Sequence, residues 1–165
     1  MPGTAPELDR GVFRHVLSHF PTGVVVVTAI DGTGDPAGMA VGSFTSVSLD
    51  PPLVAFLPAR TSTTFPRIRS SGSFCVNVLG SDQEDFSRAF SVSGGDKFDG
   101  VPWRPAGSGS PIIDGVVAWI DCEIEDVAEA GDHYVVLGRV QDLDVLSGRS
   151  PLVFFQSTYR RLSQP

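Results

Sequence analysis

Cysteine is scarce in this chain: two among 165 residues, Cys75 and Cys122, each inside an apolar run (SFCVNVL and AWIDCEI). That excludes a disulfide framework and reads as two buried thiols in a reducing compartment. Basic runs are absent, and 12 Lys and Arg against 19 Asp and Glu leave a formal net charge of −7. Such a balance argues against nucleic acid and against an anionic membrane surface as partners. No apolar stretch approaches the roughly 20 residues of a membrane span. The start, MPGTAPELDR, lacks the cationic opening and apolar centre of a signal peptide. The expectation is a soluble cytoplasmic protein.

The familiar catalytic signatures are missing as well. There is no GxGxxG behind a strand, no phosphate-binding GxxxxGK run and no GxSxG. Histidine occurs three times, at positions 15, 19 and 133. His15 and His19 lie four apart on an expected helix and could share a metal, but no third ligand stands at a recognisable spacing. A solvated helix face is the better reading, and no metal is expected. Glu123, Glu125 and Asp126 fall along an expected strand, where such residues face solvent; nothing supports a glycosidase-type pair.

What is present is hydrophobic patterning for a single domain, with 41% hydrophobic and 19% charged residues. No internal repeat or linker divides residues 1–165, and the ends, 1–8 and 160–165, read as flexible tails. ELDRGVFRHVLSHF spaces Val12, Phe13, Val16, Leu17 and Phe20 as a helix does, with Asp9 as cap and Pro21 as stop. GVVVVTAI (23–30) reads as a strand buried on both sides, DGTGDP (31–36) as a turn, and residues 38–53 as the partner strand. LVAFLP (53–58) and SFCVNVL (73–79) are further strands, with a loop and short helix between them over 60–71. Ser81 and Glu84 have the spacing of a capping box for a helix over SDQEDFSRAF. Residues 91–115, rich in Gly, Ser and Pro, read as a long surface loop. GVVAWIDCEIEDV (115–127) and HYVVLGRVQDLDV (133–145) suggest a long hairpin, and PLVFF (151–155) a last strand before a polar tail. Strands in hairpin order with short helices imply a mainly β fold, a barrel with helices outside, and not a doubly wound sheet.

The stretch GMAVGSFTSVSLDPPL (38–53) is unusual: its residues are too small and too hydroxylated for an ordinary core strand. Small residues let a planar group lie against the backbone, and hydroxyls beside it can bond a polar heterocycle. A second hydroxyl cluster, Ser62-Thr63-Thr64, leads into a helix, an arrangement suited to a phosphate. A cofactor with a flat ring and a phosphate tail would use both. A plain edge strand with a polar outer face would show the same composition.

Several pieces together resemble the flavin reductase family of two-component monooxygenases: FRHVLSHFPTGVVVVTA, GMAVGSFTSVSLDPPLV, FCVNVL, Phe90 with DKF at 96–98, SPIIDGVVAWIDCEI and GDHYVVLGRV. The resemblance runs from about residue 11 to 159, in the family's order. It implies a split β-barrel, a homodimer with flavin near the subunit interface, and reduction of FMN or FAD by NADH or NADPH. The reduced flavin would then pass to a separate flavin-dependent monooxygenase. By resemblance Gly38, Met39, Ala40, Val41, Gly42 and Ser43 hold the isoalloxazine ring, with Leu57, Pro58 and Ala59 on the adjoining strand end. Ser62, Thr63 and Thr64 match the phosphate-side loop, Ala89 and Phe90 a helix-end contact, and Lys97 a cation near the phosphate. His133, in the family's GDH motif, would lie near the nicotinamide as the catalytic residue. Phe155, Gln156 and Tyr159 match the segment that closes over the pyridine nucleotide. Many relatives carry Thr and Asn where this chain has Ala40 and Gly42, so fewer side chains here would bond the ring.

The implied chemistry is hydride transfer from nicotinamide C4 to flavin N5, for which the protein supplies stacking and hydrogen-bond donors rather than a nucleophile or metal. Two alternatives stand beside it: a flavin-binding split barrel without turnover, and a reductase of another bound substrate.

Overall fold

A computed structural model describes residues 7–163; of the expected tails, 1–8 and 160–165, residues 1–6 and 164–165 lie outside the described residues, while Arg160 and Arg161 belong to a paired strand rather than a tail. In chain order the elements are α1 (Arg10–Leu17), β1 (Thr22–Gly23), β2 (Val25–Ile30), β3 (Pro36–Val41), β4 (Thr45–Leu49) and β5 (Pro52–Phe56). There follow α2 (Phe65–Ser71), β6 (Ser73–Val78), α3 (Glu84–Phe90), β7 (Trp103–Pro105) and β8 (Pro111–Ile113). The long arms β9 (Ala118–Ala130) and β10 (His133–Val145) precede β11 (Leu152–Phe155) and β12 (Thr158–Arg161). One antiparallel sheet of seven strands has the order β3-β2-β6-β9-β10-β5-β4; β1-β11-β12 and β7-β8 form two smaller sheets.

β2 shows why the sheet is covered on both faces. Its β-branched run alternates between two cores, Val25, Val27 and Ala29 entering one and Val26, with Val24 just before it, the other. The first core joins Ala37 of β3 to Val54 and Phe56 of β5, although these strands lie toward opposite ends of the sheet order. The sheet therefore curves around the buried Phe65 and Ile68 of α2, and the Phe56 ring meets those of Phe65 and Phe74 at 6.1 and 5.0 Å. No ladder joins β3 to β4 among the described residues, so the barrel is split. Gly138 on β10 is demanded by this packing: a Cβ there would run into the Phe74 ring and lie 3.1 Å from Cys122 Cβ.

Four expectations need correcting. Residues 38–53 are not one strand. The chain leaves β3 at Val41 and starts β4 at Thr45, on the opposite edge of the sheet. The stretch 91–115 is not surface loop throughout. It folds the hairpin β7–β8 and buries Phe98, Ile112 and Ile113 in the second core. What holds it is polar and remote in sequence. The buried Asn77 amide donates to Val26 O, Thr28 Oγ1 and Pro111 O and accepts from Ile113 N at 2.8 Å. The buried Asp121 carboxylate accepts from Ser108 N and Oγ.

The Ser81 capping box does not form either. Gln83 precedes α3, and its Oε1 accepts from Gly80 N while Ser81 N donates to Ser150 O. Finally, β11 is not the last strand, because a tight turn at Gln156-Ser157 returns the chain as β12 through Arg161. The two cysteines are free and buried on opposite faces, each in a different core. Burial raises both thiols, Cys122 to about 12.

Candidate functional site

β3 is the spine of the site. Its first half borders a cleft of about 400 Å³ lined by Asp35–Gly38, Thr64, Arg67 and Gly95–Phe98. Its second half borders a smaller hollow of about 120 Å³ that includes Ala40, Val41, Gly42, Ser87 and Tyr159. Gly38 and Gly42 are about 13 Å apart along a strand of this pitch, so the two depressions lie along one strand.

Lys97 dominates the larger cleft. Its Nζ donates to Gly38 O at 3.2 Å, Thr64 Oγ1 at 3.2 Å and Phe90 O at 3.5 Å. All three acceptors are uncharged, and no ion pair holds Lys97 among the described residues. Partial burial, and then the nearby Arg67, lower its proton affinity. A half-buried cation bonded only to neutral oxygens, at the wall of a cleft, is chemistry suited to an anionic group such as a phosphate. The donor set fits the phosphate-bearing ligand that the resemblance implies.

Other expected residues take different parts. Gly38 is buried, but its missing side chain makes room for protein: a Cβ there would stand 2.7 Å from the Phe90 ring and 3.3 Å from Phe98. Phe90 is 1% exposed and packs edge-on against Phe98, so its ring props Gly38 from behind rather than offering a contact surface. Ala89 is exposed on the same helix. Met39 is half-buried against the first core. Ser62 is not among the residues lining the cleft; its Oγ accepts from Thr64 N and Phe65 N and so spends the N–H groups at the start of α2 internally. Thr63 is exposed, and buried Thr64 carries the contact to Lys97.

Ser43, Leu57, Pro58, Ala59 and His133 come together at a joint between sheet edges. Ser43 Oγ donates to Leu57 O and accepts from Leu57 N; Tyr134 N donates to Pro58 O; Ala59 bridges to His133. The half-exposed His133 ring places Nδ1 2.7 Å from Asp132 Oδ1, and this bond holds the Asp132 carboxyl below its usual range. His133 Nε2 makes no hydrogen bond among the described residues.

The C-terminal residues separate. Tyr159 belongs to the smaller hollow, its hydroxyl 2.7 Å from Ser87 Oγ and its ring 4.9 Å beneath the Arg88 guanidinium. Phe155 and Gln156 instead tie down α1. Gln156 N donates to Ser18 O, Gln156 Nε2 donates to His19 Nε2, and the Phe155 ring meets that of His19 edge-on at 6.3 Å. His19 also donates Nδ1–H to His15 O, so both its nitrogens are engaged within the chain.

Arg67, Asp35 and Asp96 line the cleft and carried no role in the sequence reading. Arg67 was findable: it lies three residues after Thr64 on α2, hence on the same face. Asp35 and Asp96 sit in turns whose approach is set by the fold alone.

The chain matches the family described as flavin reductase like domain over residues 17–163. It is 55% identical over 152 residues to a flavin reductase of Pseudomonas putida, covering 92% of this chain and 89% of that one. The solved structure of a nitrilotriacetate monooxygenase component B homologue from Mycobacterium thermoresistibile superposes with TM-score 0.90 at 44% identity, covering 96% of this chain and 89% of that one. The NADH:FAD oxidoreductase SgcE6 of Streptomyces globisporus does so with TM-score 0.88 at 38% identity, covering 98% and 97%. A split barrel, a cation-walled cleft along β3 and a match over nearly the whole chain lead to one conclusion: this chain belongs to the flavin reductase-like domain family.

Proposed function

We propose that this protein is an NAD(P)H:flavin oxidoreductase that reduces FMN or FAD and supplies the reduced flavin to a separate flavin-dependent monooxygenase. The observation that carries the reading is Lys97, a cation with no carboxylate partner, bonded to Gly38 O and Thr64 Oγ1 in the cleft beside β3. The relatives support it: one is a flavin reductase, one a component of a monooxygenase, one an NADH:FAD oxidoreductase.

In this reading Lys97 and Thr64 receive the flavin phosphate, and the backbone from Gly38 to Ser43 carries the ring, with small Ala40 leaving space for it. At Gly42 the missing side chain makes room for Thr22, whose Oγ1 would stand 2.8 Å from a Cβ there. Leu57, Pro58 and Ala59 bring His133 toward the reacting edge. Bound flavin supplies the redox chemistry by accepting a hydride from the nicotinamide. The protein stacks the two rings and fixes their polar edges. His133 orients the nicotinamide through Nε2, its ring set by Asp132. Tyr159 borders the ring side of the site, and Phe155 and Gln156 fix the hairpin that carries it.

The reading includes a homodimer. α1 has no buried residue, and it presents Val12, Phe13, Val16 and Leu17, followed by Phe20, each more than half exposed. A contiguous apolar helix face of this kind is suited to burial against a second copy. Two reduced buried cysteines accord with a cytoplasmic setting.

The test is NADH or NADPH oxidation followed at 340 nm with no flavin, FMN, FAD or riboflavin. Oxidation that saturates with added free flavin is the expected result. A protein that binds flavin yet oxidises neither nucleotide would instead be a binding module.

A further inference from the structure

The cleft holds more cation than one phosphate needs. Lys97 reaches it from the 95–98 turn, and Arg67 reaches the same wall from α2, three residues beyond Thr64. FMN ends in a single phosphate, for which Lys97 and Thr64 suffice. Arg67 is a second positive group beside them, and its placement is built rather than incidental.

Asp31 does the placing. Its Oδ2 accepts from Arg67 Nε at 2.7 Å and lies 2.7 Å from Arg67 Nη2, while Nη2 also donates to Pro36 O at 3.3 Å. Its Oδ1 accepts from Thr33 N, Thr33 Oγ1 and Asp35 N, so the whole 31–35 turn is wound around one carboxylate. The Asp31 side chain is 9% exposed, and that of Arg67 is 42% exposed. Both Nη1 hydrogens of Arg67 lack a partner among the described residues, as the bonds to Asp31 and Pro36 use only Nε and Nη2. A guanidinium clamped along one edge with its other edge open offers directed donors, the geometry that suits a phosphate.

The remaining charged groups of the cleft are Asp35 and Asp96. Carboxylates there repel a lone phosphate but accept from sugar hydroxyls or an exocyclic amine. A cleft of about 400 Å³ leaves room for more than a phosphate.

Building on the reading above, we infer that Arg67, positioned by Asp31, binds the second phosphate of a flavin dinucleotide, with Asp35 and Asp96 receiving the adenosine half, so that the cleft selects FAD over FMN. Arg67 is then a specificity-determining residue, and Asp31 a positioning residue that acts through it.

The experiment measures dissociation constants by quenching of flavin fluorescence, without pyridine nucleotide, for FAD, FMN and riboflavin, with ADP as competitor. The wild-type protein should bind FAD at least about ten-fold more tightly than FMN, and ADP should displace FAD. In Arg67→Met the FAD-to-FMN ratio should collapse toward one. Asp31→Asn, which leaves Arg67 in the chain but loosens its clamp, should lower the ratio part of the way. Arg67→Lys keeps the charge and loses the fork, and should do the same, so the inference does not depend on one variant folding.

Equal affinity of the wild type for FMN and FAD would overturn the inference while leaving flavin reduction intact. So would a ratio unmoved by Arg67→Met. If no flavin binds at all, the functional reading falls and takes the inference with it.

Discussion

At the scale of single residues, small size means different things at neighbouring positions. Gly38 was expected to clear space for a flat ring, yet the space it clears is filled by Phe90. Gly38→Ala should therefore destabilise the fold by about 1–3 kcal/mol through overpacking. A denaturant midpoint that falls in the absence of any flavin would separate this from lost binding. An unchanged midpoint would mean that Phe90 yields freely. His133 makes the opposite case, since its side chain is half-exposed and supports no core. His133→Ala should keep flavin affinity and stability while kcat/KM for the pyridine nucleotide falls, on the order of 10²-fold for a lost positioning group. Unchanged kinetics would remove His133 from the site. Thr64 stood out in sequence as part of a hydroxyl cluster, whereas Lys97 came only from the DKF piece that carries the resemblance. The propping role of Phe90 was not legible, because a fully buried aromatic and a ligand-contacting one are the same letter.

At the scale of elements, legibility followed how local the cause was. β2 was readable from its own β-branched run, and the arms of β9–β10 from their alternation. The break between β3 and β4 depends on Ser43 meeting Leu57, and the β7–β8 hairpin on Asn77 and Asp121, all contacts remote in sequence. The α3 cap failed for the same reason: Ser81 is held by Ser150, leaving Gln83 to turn the chain.

The 31–35 turn combines local and remote causes, and it carries a pH dependence. Hydrogen bonds from Thr33 and then Arg67 hold the Asp31 carboxyl well below its ordinary range in the folded chain. In the unfolded chain it titrates near about 3.9. Its contribution to stability is therefore complete at neutral pH and is lost as pH falls below about 4 toward the folded value. Asp31→Asn should have a lower Tm than wild type at pH 7, with the two curves converging on acidification toward pH ~2. Parallel curves across that range would show that Asp31 does not anchor the turn through its charge.

At the scale of the whole molecule, the chain completes two cores but leaves one helix half-finished. α1 obeys the periodicity that made it legible, with Asp9 accepting from Val12 N at its start, yet nothing among the described residues covers its apolar face. Sequence periodicity identifies an apolar stripe without saying whether its cover comes from the same chain. Among the described residues α1 is tied through its C-terminal end, by Gln156 to Ser18 and His19. That tie links the exposed helix to the β11–β12 hairpin, whose Phe154 and Tyr159 line the smaller hollow of the site. Dimerisation through α1 would thus steady a wall of the flavin site as well as bury Phe13 and Val16. Light scattering should give twice the 17.5 kDa chain mass for the wild type. Phe13→Glu with Val16→Glu should shift the mass to that of one chain and weaken flavin binding, though neither residue lines the hollow. A double variant that stays dimeric would move the interface elsewhere. One that becomes monomeric with undiminished flavin affinity would uncouple the helix from the site.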